Sequence, residues 1–148
     1  MNTIIFASDH AALDLKDNLK NFVTQQGFTV EDVGTHSTQS CDYPLFAQKL
    51  CQRVLAENGK GILICGTGIG MSISANRFSG IRAALCGNEL MAELARQHND
   101  ANVLCLGARI TGTLLAQAIV TRFLHTGFAG GRHLRRIQCL ENKPKEDQ

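Results

Sequence analysis

Residues 61–78 read GILICGTGIGMSISANRF, which sets one thiol, Cys65, and one hydroxyl, Thr67, among three glycines at alternate positions, Gly66, Gly68 and Gly70. Glycines so spaced leave backbone N–H groups unshielded, and a strand that enters a helix through such a loop aims them at an anion or a developing oxyanion. The spacing does not match the dinucleotide fingerprint G-x-G-x-x-G, and no Lys-Ser/Thr follows as in a P-loop. A tyrosine-phosphatase loop is excluded as well, because the arginine it needs is replaced by Met71. Cys65 at the mouth of this positive region is expected to favour its thiolate. Such a thiolate can act as nucleophile or as general base. The plain alternative is a buried strand-end cysteine beside a packing turn.

Other side chains suited to chemistry stand just after apolar runs. Asp9 and His10 follow the first run, and Arg109 follows the last. His98 closes a helical pattern in ARQHNDANV, with Asn99 next to it. A helix C-terminus favours the cationic imidazole, so His98 can donate a proton as well as accept one. The alternative is a capping histidine, with Asn99 ending the helix. His36 and His125 fall in polar or helix-end contexts and are expected to be solvated. In GGRHLRR (130–136), Arg132 and Arg136 are spaced i, i+4 and share a face if the segment is helical. Two parallel guanidinium forks form a phosphate clamp; a solvated basic face is the common alternative. The two glycines before them suggest a close approach, which favours the clamp.

The elements that position these groups follow from periodicity. β-rich runs fall at Thr3–Ala7, Phe28–Val33, Gly61–Cys65, Ile81–Cys86 and Asn102–Leu106. Helical patterns fall between them, at Ala12–Gln26, Tyr43–Glu57, Ile69–Arg77, Glu89–Gln97 and Thr111–His125. Leu15, Leu19, Phe22 and Val23 form one apolar stripe on the first helix, and Gly27 ends it. This alternation predicts an α/β fold, a parallel sheet with helices on both faces. A last helix is expected over Gly131–Glu141, followed by a polar tail that frays. Ligands of such sheets sit beyond the carboxyl ends of the strands, where the acid, imidazole, thiol, hydroxyl and guanidinium collect.

The chain has 148 residues, 44 % hydrophobic and 19 % charged, which fits one folded domain, 1–148. A net charge of +2 argues against nucleic-acid or membrane-surface binding. No apolar run approaches a membrane span, and MNTIIFASDH lacks the pattern of a secretion signal. None of the six cysteines forms a C-x-x-C pair, so reduced thiols in a cytoplasmic protein are expected. No His/Cys pair has metal-ligand spacing, and neither a metal nor a cofactor is expected.

Five stretches, SDHAALDLK (8–16), DYP (42–44), GILICGTGIGMSISANRFSGIRAAL (61–85), RQHNDANVLCLGARI (96–110) and GGRH (130–133), occur in one unbroken order. Together they resemble the ribose-5-phosphate isomerase B family, which also includes allose-6-phosphate and galactose-6-phosphate isomerases. The resemblance implies a Rossmann-like three-layer α/β/α sandwich with a five-stranded parallel sheet and a C-terminal helix. It implies a homodimer or tetramer whose active site is shared between subunits, and aldose–ketose interconversion of a sugar phosphate through a cis-enediolate. By motif position Cys65 is the base. Thr67 and the amides of Gly66, Gly68, Ile69 and Gly70 bind the enediolate oxygens. His98 opens the furanose ring, and Asp9 and Asn99 hold sugar hydroxyls. His10, Arg109, Arg132 and Arg136 surround the phosphate. Ser8 stands where cysteine is frequent in the family, and Ala12 where glycine is. Ribose 5-phosphate is the expected substrate. A six-carbon sugar phosphate is the alternative, and a non-catalytic sugar-phosphate-binding module a weaker one.

Overall fold

In the computed structural model, which describes residues 2–141, the apolar runs become strands whose burial follows their place in the sheet. The strand order is β2-β1-β3-β5-β4, with every pairing parallel. The three inner strands, β1 (Thr3–Ser8), β3 (Lys60–Cys65) and β5 (Val103–Gly107), are almost wholly buried. That is why they read as continuous apolar runs and not as alternating ones. The edge strands β2 (Thr29–Asp32) and β4 (Ala83–Leu85) pair on one side only and are shorter than the runs Phe28–Val33 and Ile81–Cys86. Hydrophobicity marks these segments, but a missing neighbour ends their ladders early.

Helices α1 (Leu13–Gln25), α4 (Glu89–Asn99) and α5 (Thr113–His125) cover one face, over a core that includes Phe6, Leu19, Ile62, Leu104 and Phe123. Helices α2 (Tyr43–Glu57) and α3 (Ile69–Ala75) cover the other, over Ile5, Leu50, Leu63, Met71 and Val103. This division satisfies right-handed crossovers: β1 leads outward to β2 over one face, and β3 leads the opposite way to β4 over the other. The direction of winding therefore reverses between β1 and β3, and ligands of such sheets bind beyond the carboxyl ends of the strands at this switch point.

Several boundaries shift by one or two residues from the periodicity, as where α3 ends at Ala75 and not Arg77 and α5 begins at Thr113 and not Thr111; three differences bear on the site. A 3-10 turn, His10–Ala12, precedes α1, with the Asp9 carboxylate capping it by accepting the Ala11 N–H at 3.0 Å. The fourth helix runs on to Asn99 and is closed by Asp100 in the left-handed conformation, φ 44°. His98 and Asn99 therefore lie inside the last turn of α4, and the cap falls one residue later than expected. Finally, α6 spans Arg132–Leu140 and buries none of its residues. Leu134 and Leu140 on it are 49 % and 64 % exposed. The polar tail beyond residue 141 lies outside the described residues. Among the described residues no helix is long and apolar enough to cross a membrane.

The segment after β2 is stitched to the end of β1. Ser8 N–H donates to Gly34 O at 2.8 Å, and Thr35 N–H donates to Ser8 O at 2.9 Å. Behind this seam Lys16, 1 % exposed, donates to Thr35 O at 2.5 Å and to Asp32 Oδ1 at 3.0 Å. An ammonium buried so deeply needs such partners, and here they hold the backbone that presents Asp9.

Candidate active site

Cys65 is the last residue of β3, and its side chain lies on the α2/α3 face of the sheet, 5 % exposed. Gly68 N–H donates to its sulfur at 3.1 Å. The chain turns at Gly68, φ +79°, and α3 begins at Ile69. Thr67 is exposed, and its Oγ1 accepts the Ile69 N–H at 3.2 Å. That acceptor bond leaves the hydroxyl proton of Thr67 available to donate outward. The amides of Gly70 and Met71 fall in the first turn of α3, where no intrahelical acceptor exists.

The close packing implied by the three glycines is largely internal. A Cβ on Gly68 would lie 2.6 Å from Leu85 Cδ1 and 2.9 Å from the main-chain carbon of Leu106. One on Gly70 would lie 2.7 Å from Tyr43 Cζ. Two of the glycines thus admit the protein's own atoms. Gly66 differs: its nearest neighbour is the Arg109 side chain at 3.5 Å. Arg109 is placed there by its own N–H, which donates to Gly66 O at 2.9 Å, while Ala108 N–H donates to Cys65 O at 2.8 Å.

Asp9 joins this edge because its N–H donates to Ile64 O at 3.1 Å. Half-buried His10 follows it, and His10 Nδ1 accepts the Cys41 N–H at 3.3 Å. Accepting at Nδ1 leaves Nε2 as the protonated nitrogen of the neutral ring. Sequence spacing carries no hint of this partner, which is 31 residues away. The carboxyl edge of β1, β3 and β5 therefore assembles Asp9, His10, Cys65, Gly66, Thr67, Gly68, Ile69, Gly70 and Arg109.

The remaining candidates form a separate cluster. His98 and Asn99 end α4, which runs antiparallel to the strands and so finishes at their amino edge. There they share a groove of about 340 Å³ with Arg132, His133, Arg136 and Ile137. The imidazoles of His98 and His133 stack, with centroids 4.4 Å apart and planes 14° from parallel. His133 was visible in the sequence only as part of a basic run. Gly130 and Gly131 serve backbone conformation, φ +66° and +58°, and a Cβ on either would meet nothing within 4 Å. Within one chain, then, no described residue makes a close approach to these two glycines. A larger cavity of about 770 Å³ also opens at the amino edge, lined in part by Lys60, Arg82 and Arg96. Its arginines are committed to the main-chain carbonyls of Asn99, Ala101 and Thr126.

Of the six thiols, burial pushes Cys51 up to about 12, Cys86 up to about 11, and Cys105 well above its ordinary value. Those three remain protonated through the neutral range and serve as small hydrophobes. Cys65 is the thiol that combines a strand end with a donated N–H. Among the described residues no group of three or more His, Cys, Asp or Glu is placed to hold a metal ion.

An α/β sheet with a thiol-bearing glycine loop at its switch point matches a known class of isomerase. The Ribose/Galactose Isomerase family model covers residues 4–140. The Escherichia coli ribose-5-phosphate isomerase B is 43 % identical over 141 residues, 95 % of this chain and 95 % of that protein. The crystal structure of a ribose 5-phosphate isomerase from Thermotoga maritima is 54 % identical with a TM-score of 0.92, covering 94 % of this chain and 97 % of that one. Ribose-5-phosphate isomerase B from Clostridium thermocellum superimposes with a TM-score of 0.92 at 45 % identity, covering 94 % and 95 %. The chain belongs to the ribose/galactose isomerase family and is an enzyme of the aldose–ketose isomerase class.

Proposed function

We propose that this enzyme interconverts ribose 5-phosphate and ribulose 5-phosphate, with Cys65 as the base, at a site completed by a second copy of the chain. The observation that carries the reading is the Gly68 N–H to Cys65 Sγ bond at 3.1 Å in a loop that also offers Thr67 and the first-turn amides of α3. A sulfur that accepts this N–H has support for negative charge before substrate arrives. Deprotonation beside a carbonyl needs a base at the C–H and donors at the oxygen, and each such donor is worth about 3 kcal/mol.

The steps balance without an external reagent. His98 moves a proton between the ring oxygen and the anomeric hydroxyl, which opens the furanose to the aldehyde. The Cys65 thiolate takes the proton from C2, and the electron pair shifts onto the C1 oxygen to give the cis-enediolate. Thr67 and the loop amides hold the enediolate oxygens. The C2 hydroxyl passes its proton to the C1 oxygen, and the sulfur, whose proton exchanges in part with water while held there, protonates C1, so that the C2 carbonyl of the ketose forms and the thiolate is restored. Asp9 and Asn99 bind sugar hydroxyls. His10, Arg109, Arg132 and Arg136 bind the phosphate, which does not react; its binding energy fixes the sugar over Cys65.

Distance supports the reading that two copies form the site. Cys65 and His98 must each come within about 3 Å of atoms one or two bonds apart. Within one chain Cys65 ends β3 and His98 lies in the last turn of α4 at the opposite edge of the sheet, and β3 alone spans about 16 Å. The His98 groove of one copy facing the Cys65 edge of another meets the requirement.

The test is formation of ribulose 5-phosphate from ribose 5-phosphate by the purified protein, run beside allose 6-phosphate and galactose 6-phosphate. Cys65→Ala is expected to abolish exchange of the C2 proton with solvent while phosphate binding stays near normal. A higher kcat/KM on a hexose phosphate would transfer the same mechanism to that substrate. An active Cys65→Ala protein would remove the base.

A further inference from the structure

We propose that Glu141 is a positioning residue, a latch that sets the angle of α6 and with it the register of Arg132 and Arg136. The inference rests on the reading of those two arginines as phosphate ligands. A helix of nine residues with no buried side chain is not held by a core, and alone in water it is marginal. Its ends are attached instead. At the first turn His133 stacks on His98, 4.4 Å between centroids. Just past the last turn the Glu141 carboxylate accepts the Ser79 hydroxyl at 2.5 Å and the Gly80 N–H at 2.8 Å.

The anchor point is itself fixed. Ser79 and Gly80 lie in the turn after α3. Gly80 O accepts Asn102 Nδ2 at 2.8 Å, and the Asn102 side chain in turn accepts Arg82 N–H at 2.8 Å. Asn102 leads directly into β5, so the latch ties α6 to the sheet. The Ser79 hydroxyl first, then the Gly80 N–H and the charge of Arg82, hold the Glu141 carboxyl below the usual carboxylate range. The carboxylate is thus the form that makes these bonds at neutral pH. Arg136 stands between the two attachments and Arg132 just before the first, on a helix that would pivot about His133 if the far end were released, so that the spacing of the two forks relative to the groove would change. Phosphate binding depends on both forks at once, whereas proton transfer at Cys65 does not involve α6 of the same chain.

The experiment compares Glu141→Ala, Glu141→Gln and Ser79→Ala in the full-length protein. Readouts are KM and kcat for ribose 5-phosphate, inhibition by inorganic phosphate, and amide hydrogen exchange. In Glu141→Ala, KM and the phosphate inhibition constant are expected to rise together by about tenfold, with a smaller fall in kcat because the phosphate also positions the sugar over Cys65. Exchange is expected to speed up at Gly80 and along 132–140. Gln can still accept from Gly80 and donate to the Ser79 oxygen, so Glu141→Gln is expected to recover most of the loss, and Ser79→Ala to show part of it. Unchanged exchange in α6, or unchanged phosphate inhibition, overturns the latch. So does a fall in kcat that tracks lost folded protein. Should the wild-type protein isomerise no sugar phosphate, the functional reading fails, and exchange together with phosphate binding still decides the latch.

Discussion

Cys65 and His98 stand at opposite edges of the same sheet. Cys65 ends β3 level with Gly107 of β5, while His98 lies in the last turn of α4, beside the edge where Gly61 N–H donates to Asn102 O at 2.9 Å. A two-fold assembly that joins the two edges has a direct consequence. Cys65→Ala and His98→Ala are each expected to be inactive, but a chain of each type in one dimer rebuilds one intact site. Mixing the two after reversible dissociation is expected to restore about a quarter of wild-type activity, from statistical pairing of chains. Activity in a coupled ribulose 5-phosphate assay checks this, and a mixture that stays inactive would place both residues in one chain's site.

The glycine loop allows packing and the proposed catalytic role to be tested apart. Gly68 combines φ +79° with a Cβ position 2.6 Å from Leu85 and 2.9 Å from the Leu106 backbone. Gly68→Ala is expected to cost about 2–5 kcal/mol, from left-handed strain together with overpacking. Gly66→Ala meets only the flexible Arg109 side chain at 3.5 Å. It is expected to change stability by less than about 1 kcal/mol while lowering kcat/KM. Urea unfolding and steady-state kinetics on the two variants check the contrast.

Residues that act through local chain geometry were the ones visible in the sequence. The alternation of apolar runs and helical stripes set out all five strands and the helices between them, because inner strands must be apolar on both faces. The placement of Asp9, Cys65 and Arg109 at one edge followed from strand direction alone. What escaped was long-range. Two of the three loop glycines accommodate Tyr43, Leu85 and Leu106, which come from other elements. Cys41 reaches His10 and His133 reaches His98 through the fold, not through spacing. The extra half-turn of α4 depended on Asp100 accepting a left-handed backbone, a role more often given to glycine or asparagine. Chain connectivity is equally silent about whether the two clusters serve one site.

The stacked pair at the groove makes a titration prediction. Partial loss of water first, then the neighbouring His98, Arg132 and Arg136, keeps the His133 imidazole below its ordinary value of 6.5. His133 is therefore expected to stay neutral at pH 7, and its nuclear magnetic resonance midpoint to fall below that of a free imidazole. Arg132→Gln and Arg136→Gln each remove one of these positive neighbours, so each is expected to move the midpoint upward. A midpoint that ignores both substitutions would mean that the arginines point away from the ring.

The Lys16–Asp32 seam behind Asp9 predicts acid sensitivity. Asp32 accepts Lys16 Nζ at 3.0 Å, Lys20 Nζ at 2.8 Å and Gly34 N–H at 2.9 Å. Burial alone would raise its pKa, but the bonds from Lys20, Gly34 and Lys16 outweigh that and hold it below the ordinary aspartate value of 3.8. The native state therefore binds this proton more weakly than the unfolded chain. The stabilisation is complete above the unfolded carboxylate pKa and fades as pH falls through the lower native one. Asp32→Asn leaves Lys16, 1 % exposed, without its counter-charge, and is expected to cost about 3–5 kcal/mol at pH 7, as when one partner of a buried pair is removed. In the same variant the decline of stability below pH 4 is expected to flatten. Urea midpoints at pH 7, 5, 4 and 3 for both proteins measure the two effects together. Because Gly34 and Thr35 are hydrogen-bonded to Ser8, the loss is also expected to reach the neighbouring Asp9, as a rise in KM. A variant that keeps the wild-type acid decline would assign that decline to carboxylates other than Asp32.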